Sequence, residues 1–154
     1  MTTCLSARSR RVELVQARPT AMARHRQDQV DALTIIIVDA DASLRHSLRF
    51  SLAVEGFAVR TYATAGELLS AADLPGRGCL VIDYNLPDMT GLDLVARLRM
   101  RNIELPAILI ITNPTGILRR RAEQAGVWMV EKPLLGDSLI NGIEAALTPS
   151  ANHF

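Results

Sequence analysis

Four short runs in this sequence are apolar almost without interruption: Thr34 to Val38, Leu80 to Ile82, Ala107 to Ile111 and Val127 to Val130. Successive side chains of a strand point to opposite faces, so a strand with one wet face alternates apolar and polar residues. Continuous apolarity instead predicts strands covered on both faces, the condition of a parallel sheet between two layers of helices. A fifth run, Ala58 to Ala63, does alternate, and fits an edge strand.

Helical patterns separate these runs. Leu44, Leu48 and Leu52 mark a first helix that stops before Gly56, and Thr64 with Glu67 has the spacing of a capping box. Thr90 and Asp93 repeat that spacing more weakly. Leu92, Val95, Ala96 and Leu98 then form one apolar face, with Arg97, Arg99 and Arg101 outside. Leu139, Ile143, Ala146 and Leu147 mark the last helix, with Pro149 beyond its end. The order βαβαβαβαβα calls for right-handed crossovers and helices on both faces of the sheet. The expected fold is α/β, a five-stranded parallel sheet flanked by five helices in a doubly wound arrangement.

Residues 1–33 read differently. Arg8, Arg10, Arg11, Arg18, Arg24 and Arg26 outnumber Glu13, Asp28 and Asp31, and Pro19 interrupts any helix. The expected organisation is a basic, flexible extension over 1–33, one domain over 34–149 and a short tail over 150–154. Across the 154 residues the net charge is only +1, which gives no overall case for nucleic acid or a membrane surface. No apolar stretch approaches the roughly 20 residues needed to span a bilayer. Cys4 and Cys79 form neither a disulfide framework nor a zinc pattern, and unpaired thiols fit a reducing cytoplasm.

In an open parallel sheet, functional groups collect beyond the carboxyl ends of the strands. Those ends read Val38-Asp39-Ala40-Asp41, Val81-Ile82-Asp83-Tyr84-Asn85, Ile111-Thr112-Asn113 and Val130-Glu131-Lys132-Pro133. Carboxylates, a hydroxyl and an ammonium thus converge from four segments. Together they suit phosphoryl transfer to a carboxylate. An incoming phosphoryl group needs its charge neutralised, and a lysine and an oxygen-bound Mg²⁺ provide that. A threonine hydroxyl can hydrogen-bond the transferred group. Each residue also has a plainer reading: Asp83 as a turn residue, Lys132 as a surface lysine, Thr112 as an ordinary strand threonine, and Asp41 as a helix cap.

The run Asp83-Tyr84-Asn85-Leu86-Pro87-Asp88-Met89-Thr90-Gly91 resembles the phosphoacceptor loop of two-component response-regulator receivers, and the resemblance extends from about Thr34 to Leu147. The receivers of nitrogen-fixation regulators are its nearest flavour. The resemblance implies a flavodoxin-like receiver fold with Asp83 as the phosphorylated residue and Thr112 as the switch hydroxyl. It makes Lys132-Pro133 the family's Lys-Pro pair, usually joined by a cis peptide. It makes Asp39, Asp83 and the backbone carbonyl of Asn85 the ligands of Mg²⁺.

Three departures stand out. Ala40 falls where the family normally places the carboxylate that touches the metal. The segment from Gly126 to Lys132 is one residue short, so Met129, with Trp128 beside it, stands where the aromatic switch residue is expected. Asn113-Pro114-Thr115-Gly116 replaces the usual loop after the threonine.

The expected function is phosphorelay signalling by a stand-alone, cytoplasmic, non-enzymatic receiver. Its partners are a histidine kinase or phosphotransfer protein and a downstream protein target. The face of the fourth and fifth helices is a candidate homodimer surface, although Arg119-Arg120-Arg121 also reads as a solvated basic face. The chain ends just after the last helix, so no DNA-binding domain is expected. The rival is a degenerate pseudo-receiver that binds partners without phosphorylation, motivated by Ala40, Met129 and the shortened last strand segment. A nucleotide-binding enzyme of similar fold lacks a Gly-rich loop after the first strand.

Overall fold

The structure is a computed structural model, and it describes residues 33–134 and 136–148. The expected extension and tail fall almost wholly outside these residues. The element order is β1 (Thr34–Val38), α1 (Ala42–Val54), β2 (Ala58–Tyr62), α2 (Ala65–Leu69), β3 (Gly78–Asp83), α3 (Gly91–Met100), β4 (Ala107–Ile111), α4 (Gly116–Gln124), β5 (Trp128–Glu131) and α5 (Ser138–Leu147). All four strand pairings are parallel, in the order β2-β1-β3-β4-β5. The α/β fold expected from the sequence is therefore present, with the alternating run at one edge.

β2 ends at Tyr62, one residue short of the expected run, and two strand starts also shift. β3 starts at Gly78, so Cys79 sits inside the strand, fully buried, rather than at its mouth. There burial pushes its thiol up to about 12. β5 starts at Trp128 rather than Val127. Val127 turns into the core instead, its amide donating to Ala122 O at 2.9 Å, and Trp128 stands 50% exposed on this edge strand.

Why the strands are apolar throughout is visible in their alternation. Ile36, Val38, Leu80, Ile82 and Leu109 pack to one side, against Leu68 of α2, Leu94 and Leu98 of α3, and Ala122 of α4. Ile35, Ile37, Val81, Ile108 and Ile110 pack to the other, against Leu48 and Leu52 of α1 and Leu139 and Ile143 of α5. Period-two geometry thus splits one continuous run between two cores.

Local signals place the helices. Asp41 caps α1, its carboxylate accepting from the amides of Ser43 at 2.9 Å and Leu44 at 3.3 Å. Such caps contribute about 1 kcal/mol. Thr64 accepts from the Glu67 amide, while Glu67 reaches back to the Ala63 amide at 2.8 Å, one residue earlier than in a standard capping box. Thr90 and Thr115 cap α3 and α4 in the same way, each accepting at 3.1 Å. Asn113 takes a left-handed backbone, φ 50°, which lets the chain turn sharply before Thr115.

Candidate functional site

The chain leaves β1 for β2 on one side and passes to β3 on the other, so the order reverses between β1 and β3. Crevices in such sheets open at that reversal, outside the carboxyl ends. Val38 lies in register with Ile82, and the residues that follow them, Asp39 and Asp83, meet at the crevice.

Both carboxylates are buried, Asp39 at 2% exposure and Asp83 at 8%. Lys132, immediately after β5, reaches across the end of β4. Its Nζ stands 3.5 Å from Asp39 Oδ2 and 3.5 Å from Asp83 Oδ1. The backbone of the lysine is anchored to the end of β4, its amide donating to Ile111 O at 2.8 Å, and the Lys132-Pro133 peptide is cis. Asp39 Oδ1 accepts from the Asp41 amide at 2.8 Å, whereas Asp39 Oδ2 is buried and has no hydrogen-bond partner among the described residues. At 3.5 Å the ammonium neutralises that oxygen but lies beyond the usual hydrogen-bond range.

Asp83 is held above its ordinary carboxyl range, chiefly by burial and next by the negative charge of Asp39. Lys132 and the Asn85 amide, which donates to Asp83 Oδ1 at 3.4 Å, pull it back. The arrangement is a buried carboxylate pair with one cation between them. It can attract a further cation, and it keeps Asp83 less well stabilised as an anion than a surface aspartate.

Gly91 makes the close packing beneath Asp83 feasible. A Cβ there would stand 2.7 Å from Asp83 O and 2.6 Å from Leu109 Cδ1, so only glycine lets α3 start against the end of β3.

Of the residues singled out from sequence, the structure brings Asp39, Asp83 and Lys132 into direct contact. Asn85 is exposed and joins through its amide. Thr112 is exposed at the end of β4. It lines a cleft of about 330 Å³ with Tyr84 and Asn85, and among the described residues no hydrogen bond joins its hydroxyl to Asp83. Ala40 is exposed beside the pair and brings no donor, and Asp41 is committed to capping α1. Among the described residues no group of three or more His, Cys, Asp or Glu side chains stands ready for a metal ion.

Three contributors escaped the sequence reading. Arg45, one turn into α1, donates to the Asp39 carbonyl at 2.6 Å and fixes the chain where it enters the site. Its spacing from the cap residue Asp41 was the available signal. Asp88 reaches out of the β3–α3 loop to accept from the amides of Ala65 at 3.1 Å and Gly66 at 2.8 Å, so it tethers α2. Tyr84 lines two separate clefts next to Asp83. Nothing local in the sequence announces the last two, because they depend on which helix lies beside the loop.

Comparison with known proteins agrees with this geometry. Residues 35–144 match the family described as response regulator receiver domain. The transcriptional regulatory protein FixJ of Rhizobium meliloti (strain 1021) is 36% identical over 114 residues, 73% of this chain and 56% of that protein. The C4-dicarboxylate transport transcriptional regulatory protein DctR of Rhodobacter capsulatus is 34% identical over 125 residues, 79% of this chain and 62% of that protein. The chain therefore spans a little over half the length of these relatives. Among solved structures, FixJ-N superposes with a TM-score of 0.65 at 35% identity, covering 74% of this chain and 92% of that one. A CheY-like receiver domain protein from Methanospirillum hungatei JF-1 gives 0.69 at 26% identity, covering 76% and 94%. With the matched span, the fold and the strand-end carboxylates in agreement, the chain belongs to the response-regulator receiver family of two-component signalling.

Proposed function

We propose that this receiver accepts a phosphoryl group on Asp83 from a phosphohistidine of a histidine kinase or phosphotransfer protein. The observation that carries this is the Asp39–Lys132–Asp83 cluster, in which a buried carboxylate of raised pKa faces an ammonium at 3.5 Å. A carboxylate oxygen of Asp83 attacks phosphorus, forming the P–O bond as the P–N bond breaks. The imidazole leaves and takes a proton from solvent. Lys132 meets the negative oxygens of the transferred group, and its attraction to them replaces its attraction to Asp83. Thr112, on the neighbouring strand end, offers its hydroxyl to the acyl phosphate.

The residues present suit Mg²⁺ with a reduced donor set. Asp39 Oδ2 is buried with no hydrogen-bond partner among the described residues, and it shares one ammonium with Asp83, so the pair keeps a net negative charge for a further cation. Mg²⁺ commonly takes one or two carboxylates and retains waters, so Asp39, Asp83 and the Asn85 carbonyl would hold it. When bound, it supplies positive charge to the phosphoryl oxygens. Ala40 contributes nothing to this set, so affinity for the ion is lower than three carboxylates would give.

The protein signals through contacts with other proteins, on the cytoplasmic side. In the described residues no helix is long and apolar enough to cross a membrane. A second reading is favoured by Ala40, which is exposed beside the pair and brings no oxygen donor: a pseudo-receiver that binds partners without phosphorylation. Intact-mass analysis after incubation with acetyl phosphate separates the two. A phosphoryl-sized gain that needs Mg²⁺ and is lost in Asp83→Asn supports the receiver. No gain in wild type, restored in Ala40→Asp, supports the pseudo-receiver.

A further inference from the structure

We propose that Tyr84 is the group that carries the state of Asp83 to α4, in place of an aromatic residue on β5. The proposal rests on the phosphoacceptor reading above.

Tyr84 follows Asp83 directly, and its backbone is pinned on both sides. Its amide donates to Ile110 O at 2.9 Å and its carbonyl accepts from the Gly91 amide at 2.8 Å. Only the side chain is free to move. That side chain is half-buried against the core on the α2–α3–α4 side of the sheet, where Met129 also packs. On one side of it lies the cleft of about 330 Å³ walled by Thr112, Thr115, Ile117 and Leu118. On the other lies a cleft of about 420 Å³ walled by Thr90, Leu92, Ala96 and Arg99. Besides Tyr84, Arg121 of α4 is the residue that borders both.

A core ring is held in one place because close-packed neighbours fill the space around it. Tyr84 instead stands between two open spaces, so its ring has two placements rather than one. β5 offers no such group: Trp128 is 50% exposed, and Met129 has no ring. An acyl phosphate on Asp83 draws the Thr112 hydroxyl toward its oxygens, as a charge-assisted hydrogen bond requires. That movement withdraws Thr112 from the wall of the first cleft and widens it on the Tyr84 side. The ring then enters the space against Thr115 and Leu118, the cap and first turn of α4, and Arg121 follows its other edge. A change at one carboxylate becomes a change in how α4 is held, because packed elements move between discrete arrangements.

Hydrogen exchange of the α4 segment in the full chain tests this, read with and without acetyl phosphate and Mg²⁺ while intact mass reports the phosphorylated fraction. Exchange over Gly116–Gln124 is expected to change on phosphorylation by roughly threefold or more, a local-stability effect. Tyr84→Phe keeps the response, because the ring and not the hydroxyl does the work. Compared at equal phosphorylated fraction, Tyr84→Ala loses most of the response, and Met129→Ala keeps it. Should Tyr84→Ala fail to fold, Tyr84→Leu carries the same test. Phosphorylated Tyr84→Ala that responds like wild type overturns the proposal, as does phosphorylated wild type whose α4 exchange is unchanged. Absence of any mass gain is the distinguishable failure of the phosphoacceptor reading itself, and it removes this proposal with it.

Discussion

Lys132 Nζ lies the same distance, 3.5 Å, from Asp39 Oδ2 and from Asp83 Oδ1, so one ammonium balances two buried carboxylates. Removing it leaves like charges facing each other with little water to screen them. Lys132→Met should destabilise the domain by about 2 kcal/mol, below the range for a fully buried pair because the lysine side chain is 28% exposed. Urea unfolding checks this. Adding Asp39→Asn should recover most of the loss, since the repulsion then disappears.

Asp83 works against stability where it stands. Its carboxyl is held above the ordinary range, so the folded state binds its proton more tightly than the unfolded state does. The stability linked to that proton is complete below the unfolded pKa and is lost as pH rises through the folded one. Asp83→Asn should therefore be more stable than wild type at neutral pH by about 1 kcal/mol, the scale on which neutralising a strained site residue acts. Thermal melts from pH 3 to 7 should show the two proteins converging toward acid and separating toward neutrality.

In the cation site proposed at Asp39 and Asp83, Ala40 brings no donor. Placing a carboxylate there adds a third oxygen donor beside Asp39 and Asp83, and Mg²⁺ affinity should rise about tenfold or more in Ala40→Asp. Titration calorimetry reads this directly. The same substitution without Mg²⁺ should lower the melting temperature, because it adds a negative charge next to a buried pair.

Asp88 ties the β3–α3 loop to α2 through the amides of Ala65 and Gly66. Its carboxyl is held below the ordinary range, the Gly66 amide being the largest cause, so this tether is complete above the unfolded pKa and lost as pH falls through the folded one. Asp88→Asn should leave α2 protected at neutral pH less than wild type is. The two should start to converge as the pH falls below about 4, and should meet only once it has passed the still lower folded value. Amide exchange at Ala65 and Gly66 measures both effects.

The fold was legible because its signal is repeated. Each of the runs Thr34 to Val38 and Ala107 to Ile111 is a strand over the expected residues, and continuous apolarity admits few arrangements other than a covered parallel sheet. Helix caps were legible at Thr64 and Thr90 because a cap is a local bond between neighbours in sequence. The alignment of Asp39, Asp83 and Lys132 was legible from strand ends, since topology fixes which ends meet. What stayed hidden needs the tertiary neighbour. Arg45 answers a carbonyl on the preceding strand end, Asp88 a helix that starts 23 residues earlier, and Tyr84 a gap between two helices. The exposure of Trp128 was the less favoured of two readings, because a tryptophan bordering a strand is more often packed than exposed.

The central claim is that Asp83 itself forms the acyl phosphate. Borohydride reduction of the protein after incubation with acetyl phosphate and Mg²⁺, followed by peptide mapping, reads the acceptor position directly, because an aspartyl phosphate is reduced to homoserine. Homoserine is expected at position 83 and nowhere else, with none formed when Mg²⁺ is chelated. Homoserine at Asp39, Asp41 or another aspartate, or phosphorylated protein in which position 83 stays aspartate, would contradict it.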